Sequence, residues 1–200
     1  MMNQPPSLLW LALLLLASGC VRSEQPLSDA KDARADLRLA GQWRARDKPQ
    51  TGVRIDEATP KDRLLKVSFD EHGVGHAEFL EEGVAKPGNI QFFVTRTSRQ
   101  AFLNVQEPGL SPPLYHLFKY QVSDGGRSVQ LWSLRTAFFE AAIKENRLKG
   151  KISVDPPGDD PGSGGTYTLL QDASDKVLRV IELKPEQEMF TDLLSLEKVQ

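Results

Sequence analysis

The chain has 200 residues, of which 26% are charged, with a formal net charge of −2 and a single cysteine. That length suits one domain with a real core, or at most two small ones. The near-neutral balance, without any cluster of Lys and Arg, excludes a dedicated nucleic-acid binder, which must displace counterions from phosphates. One cysteine forms no intramolecular disulfide, so stability has to come from packed apolar area.

The first predicted element is a leader. From Leu8 to Gly19 no side chain is charged, and Leu8 to Ala17 is almost wholly apolar. At ~1.5 Å per residue this run is too short for a hydrocarbon core of ~30 Å, and it reads as the apolar region of an export signal. It ends in Ala17-Ser18-Gly19-Cys20, small residues directly before the chain's one cysteine. A thiol is the nucleophile that accepts a diacylglyceryl group, and small neighbours let a peptidase approach the backbone. The stretch resembles the lipobox of bacterial lipoproteins, with Ala17 where the family prefers leucine and no Lys or Arg before the apolar run. The resemblance implies removal of residues 1–19, a thioether-linked lipid on Cys20, and a membrane as partner in the bacterial cell envelope. With Val21 rather than aspartate after the cysteine, it implies the outer membrane, facing the periplasm, in a Gram-negative organism. The alternative is an ordinary cleaved secretion signal. A single acyl chain, at ~0.8 kcal/mol per buried CH₂, binds only marginally, so durable anchoring takes the two or three chains the resemblance implies.

Residues 20–36 are polar and charged, with Pro26 early, and are expected to form a lipid-anchored tether. Ser28 is placed to cap a short helix in its second half. The remaining residues, 37–200, read as a single β-rich domain. In Leu65, Val67 and Phe69 apolar side chains alternate with Lys66, Ser68 and Asp70, one face core and one wet. Asp70-Glu71-His72-Gly73 is a hairpin turn leading to Ala77 and Phe79. Further strands are predicted over Ile90–Thr97, Ala101–Gln106, Leu114–Val122 and Ser128–Leu134, with Asp124-Gly125-Gly126 as the turn between the last two. A meander of this kind must close or cover its outer strands. Gly41-Gln42-Trp43, just before the series, resembles the G-x-W signature on the first strand of lipocalins, whose Trp plugs one end of the barrel. A Trp packed in some other β-core is the alternative.

A helix is predicted over Thr136–Asn146 with Thr136 as N-cap, then a strand over Leu148–Val154, an exposed Pro/Gly/Asp loop over 155–165, and a strand over Tyr167–Leu170. Ser174–Leu183 leans to helix, capped by Ser174 and stopped by Pro185. Leu194–Val199 alternates and is expected to close the sheet against the first strand. The fold class is therefore mainly β, an antiparallel meander closing into a lipocalin-like barrel with one or two short helices late in the chain. The same layout is similar to small uncharacterised bacterial lipoproteins.

The chemistry offered is sparse. His72, His76 and Glu78 form the one local group of metal-capable side chains, but Phe69, Ala77 and Phe79 claim the core face there, so no metal site is expected. No G-x-S-x-G, H-E-x-x-H, phosphate-loop or dinucleotide pattern occurs, and no cofactor is expected. His116 shares parity with Phe118, Tyr120 and Val122 on what reads as the inner face. With Phe92 and Trp132 these residues (His116, Phe118, Tyr120) either fill a narrow barrel or line a ligand pocket. The expected function is a non-enzymatic, lipid-anchored binding module for an apolar small molecule or another envelope protein. The alternatives are an envelope enzyme using His116 with a carboxylate brought near by folding, and a structural or assembly subunit.

Overall fold

A computed structural model describes residues 21–46, 64–81, 84–85, 90–155 and 165–199. In chain order the strands are β1 (Val21–Ser23), β2 (Gly41–Arg46), β3 (Leu64–Phe69), β4 (Gly75–Glu81), β5 (Val84–Ala85) and β6 (Ile90–Arg96). They continue with β7 (Ala101–Gln106), β8 (Tyr115–Val122), β9 (Ser128–Leu134), β10 (Gly150–Asp155), β11 (Gly165–Leu170) and β12 (Phe190–Lys198). Three helices, α1 (Thr136–Lys144), α2 (Ser174–Glu182) and α3 (Glu186–Met189), follow β9.

Eight of these strands close a ring of antiparallel pairs: β8, β7, β6, β4, β3, β2, β12, β9 and back to β8. Local chemistry sets the hairpins. Asp70 Oδ1 accepts the amides of His72 and Val74, each at 2.9 Å, while Gly73 takes φ 80°, and this turn fixes Val67 opposite Ala77. Between β8 and β9, Gly126 at φ 65° donates its amide to Ser123 O at 2.8 Å. On β4, Gly75 leaves room for the ring of Phe92 to lie across the strand, where an added Cβ would sit 2.3 Å from it.

The expected lipocalin-like closure is therefore present, and the G-x-W tryptophan sits at a plugged end. A single 3₁₀ turn, Leu37–Leu39, covers that end and buries Leu39; Trp43 Nε1 donates to Leu39 O at 2.7 Å. Lys198 Nζ lies 5.3 Å from the Trp43 ring centre. Inward-facing Trp43, Val67, Ala77, Phe92, Val94, Tyr120, Val122, Val129 and Leu196 form the interior cluster. The outer face of β6–β9 is covered as well, which is why Phe92, Phe93, Val94 and Thr95 are buried in succession. Phe102, Leu117 and Leu134 pack there with Phe139 and Ala142 of α1 and Val177 and Ile181 of α2. Gly150 allows this closeness: an added Cβ would meet Ile143 of α1 at 2.6 Å and Leu169 O at 2.4 Å.

The barrel carries an extension. The first two residues of β8, Tyr115 and His116, pair with Ser23 and Arg22 of β1, while Phe118–Val122 pair with β9. β1 in turn pairs parallel with β11, and β11 antiparallel with β10. The stretch read from sequence as tether is thus tied to the body from Val21 onward. Leu27 N–H donates to Asn104 Oδ1 at 2.7 Å, and Ser28 Oγ lies 2.7 Å from Thr95 Oγ1. In place of a helix capped by Ser28 there is a short 3₁₀ turn, Ala30–Asp32.

Smaller differences have local causes. Arg135, not Thr136, holds the N-cap position of α1, and Ala173, not Ser174, that of α2, because the Ser174 hydroxyl donates to Pro26 O. The closing strand starts at Phe190, earlier than alternation suggests, since a register shift between Asp192 and Leu194 breaks the period there. The cysteine, the leader and most of the Pro/Gly/Asp loop lie outside the described residues.

Candidate functional site

The two ends of the barrel differ. At the plugged end, Asp36 caps the 3₁₀ turn while remaining 4% exposed. Its carboxylate accepts from Arg38 Nε and Nη2, both at 2.9 Å, from the Tyr120 hydroxyl at 2.8 Å, and pairs with Arg96. Burial alone would raise the Asp36 pKa, but the hydrogen bonds from Arg38 and Tyr120 and the charge of Arg96 outweigh it and hold the carboxyl below its usual range. Burial, with that carboxylate alongside, pushes the Tyr120 phenol up, so it stays a donor. These four groups latch the plug to the barrel wall.

At the opposite end, where β7 stops and β8 begins, some inward-facing side chains are only half-buried among the described residues. Val105, next to Gln106 at the end of β7, and Phe118, near the start of β8, are half-buried there. Here Glu107, on the same parity as Leu103 and Val105, draws two cationic or ionisable partners together. His116 Nε2 and Arg22 Nε each lie 3.3 Å from Glu107 Oε2. His116 is 6% exposed and its ring stacks on Phe118 with centroids 6.4 Å apart at 16°. The Arg22 guanidinium sits 4.5 Å from the Tyr167 ring centre. The close approach of His116, opposed by burial and helped by the Arg22 charge, holds Glu107 below its ordinary value, so it remains a carboxylate.

The residues singled out from sequence divide between these places. His116 and Phe118 lie at the end where β8 begins, Tyr120 belongs to the plug latch, and Phe92 fills the interior, edge-on to Phe69 at 5.7 Å. Trp132 is on the outer face: it packs against the layer under the helices with Lys119 Nζ 4.8 Å above its ring. Lys119 is itself paired with Glu186. The expected aromatic set therefore does not line one cavity. Near β4, His72 approaches Glu71 at 3.6 Å and His76 approaches Asp70 at 3.4 Å. Among the described residues no three metal-capable side chains converge.

Sequence reasoning missed Arg22, Glu107 and Asp36. Glu107 carried a signal, its inward parity after Val105. Arg22 carried none, because three residues are too few to show a strand period. No family model, no curated protein and no solved structure matches the chain.

Proposed function

We propose that this chain is a lipid-anchored protein of the bacterial envelope that works by binding, its barrel taking the apolar part of a small molecule from the end where β7 stops and β8 begins. The observation that carries this is the asymmetry of the ring. Among the described residues one end is sealed by Leu39, Trp43 and the Asp36 latch, while the other combines the half-buried Val105 and Phe118 with a convergent polar group, Arg22, Glu107 and His116. An apolar wall with a few convergent polar groups is what a small-molecule site requires. The leader ending in Cys20 supports attachment to a membrane.

Native mass spectrometry after gentle detergent extraction tests binding. We expect a co-purifying apolar mass, or saturable uptake of a fluorescent naphthylamine probe that weakens in Phe118→Asp. A barrel without added mass and without probe uptake would sink the binding function and leave an assembly role.

A second function has one observation in its favour: His116 lies within reach of a carboxylate, the pairing an acid–base enzyme needs. Hydrolysis of p-nitrophenyl esters lost in both His116→Ala and Glu107→Gln would support it. Undiminished turnover in both variants, or none in the wild type, would remove it.

A further inference from the structure

The segment that closes the plugged end rests on the barrel at few points. Between Ala33 and Trp43, themselves buried, only Asp36 and Leu39 are buried; Arg34, Ala35, Leu37 and Arg38 face water. Inside the segment Leu39 N–H donates to Asp36 O at 2.8 Å and Ala40 N–H to Leu37 O at 3.1 Å, so the turn carries its own backbone bonds. Among the described residues it meets the ring through three polar contacts: Asp36 with the Tyr120 hydroxyl of β8, Asp36 with Arg96 at the end of β6, and Leu39 O with the Trp43 indole. Both ends of the segment have a fixed point. The Ala33 carbonyl is pressed against the β3–β4 turn, where a Cβ on Gly73 would sit 3.1 Å from it, and Gly41 opens β2 at φ 129°, a conformation that favours glycine.

We infer that residues 34–40 are a lid that swings off the barrel end as one piece, about Ala33 and Gly41, while the eight-stranded ring stays closed. The lid stands on this geometry alone; that a small molecule passes beneath it to the apolar interior rests on the binding function proposed above. Opening costs little apolar area, because Leu39 is the one large apolar side chain the segment buries. Its polar cost is also contained. Asp36 and Arg38 travel together, joined by two hydrogen bonds of 2.9 Å, so the carboxylate keeps a cation as it reaches water. The groups left on the ring are the half-exposed Arg96, the Tyr120 hydroxyl and the Trp43 indole N–H, all of which meet the water that enters; Lys198, 5.3 Å from the Trp43 ring centre, stays with β12. The ring strands have no such freedom. β7 is bonded along its length to β6 and to β8, so parting them exposes the core that the lid's movement leaves packed.

The Trp43 indole N–H reports on the lid directly, since its bond to Leu39 O breaks when the lid lifts. The test is native-state hydrogen exchange by NMR on the full chain, with that signal assigned by its loss in Trp43→Phe and compared with the ladder amides of β6 and β7 as urea is raised below the unfolding transition. We expect the indole to exchange through an opening that urea does not change, with protection at least about tenfold below that of the ladder amides, whose exchange quickens with urea. Asp36→Asn should speed the indole about tenfold or more. Phe139→Leu, in the helical layer on the far face, should speed the ladder amides and leave the indole unchanged. An indole that follows the ladder amides in urea, or that quickens with them in Phe139→Leu, would overturn the lid and make the segment part of the ring's cooperative unit. Passage is read from the association rate of the naphthylamine probe: faster uptake in Asp36→Asn supports it, and an unchanged rate with a quickened indole overturns it. Absence of uptake in every variant would sink the binding function, and the indole would still decide the lid.

Discussion

Asp36 shows how one buried charge can hold an end of a barrel shut. Its carboxylate is satisfied by two guanidinium groups and a phenol, so removing it strands a buried hydroxyl and loosens two arginines that can still reach water. Asp36→Asn is expected to lower unfolding free energy by about 2 kcal/mol and Tyr120→Phe by about 1 kcal/mol, both read from urea denaturation at pH 7. The pH dependence has a definite sign. The folded carboxyl titrates below its unfolded value of ~3.9, so its contribution is complete above about pH 5 and is lost as pH falls below ~4 toward the folded value. Asp36→Asn should flatten the acid limb of stability against pH by about one proton. An unchanged slope would show that Asp36 is not a source of the acid sensitivity.

Among the elements, period-two strands with turn chemistry at their ends were the most legible. β3 alternates Leu65, Val67 and Phe69 with polar side chains, and Asp70 to Gly73 names the turn into β4, so register follows from sequence. α2 was decided by its apolar stripe, Val177 and Ile181 facing the core despite the strand propensity of Val180 and Ile181. β1 was hidden because its stability lies in partners distant along the chain: Thr168 and His116 supply the pairing, and Val-Arg-Ser alone carries no pattern. The buried Asn104 was equally hidden. It reads as a break in the apolar alternation of β7, yet at 0% exposure it binds Leu27 N–H, donates to Phe93 O at 3.1 Å and to Thr95 Oγ1 at 2.9 Å. Asn104→Ala is expected to cost about 2–3 kcal/mol. Hydrogen exchange should show the Leu27 amide losing protection before the amides of β8; simultaneous loss would mean that the N-terminal segment and the barrel open as one unit.

For the whole molecule, sequence disclosed the fold class better than the site. Closure into a barrel could be argued from the number of short strands and the need to cover their sides. The assignment of the aromatics could not, because parity separates the faces only after one knows that both are covered: Phe92 and Phe93 are adjacent and equally buried on opposite sides of β6. The same double covering put Trp132 outside rather than inside. Arg22, Glu107 and His116 meet only because β8 changes partner along its length, which no local pattern encodes.

Ring closure has a further consequence for association. The ring itself is closed, so among the described residues the ladder of strands ends at β10, bonded to β11, and at the short β5, bonded to β4. The β10 margin is where another extended chain can add by main-chain hydrogen bonding, whether a foreign segment or a second copy. Its sequence guards against the second copy: Lys149 and Lys151 are exposed around it, and charge on a bare margin discourages stacking. Replacing both lysines with isoleucine should leave secondary structure unchanged while shifting sedimentation from monomer toward dimers and larger species at micromolar concentration; a purely monomeric double variant would show that β10 is sealed by other means.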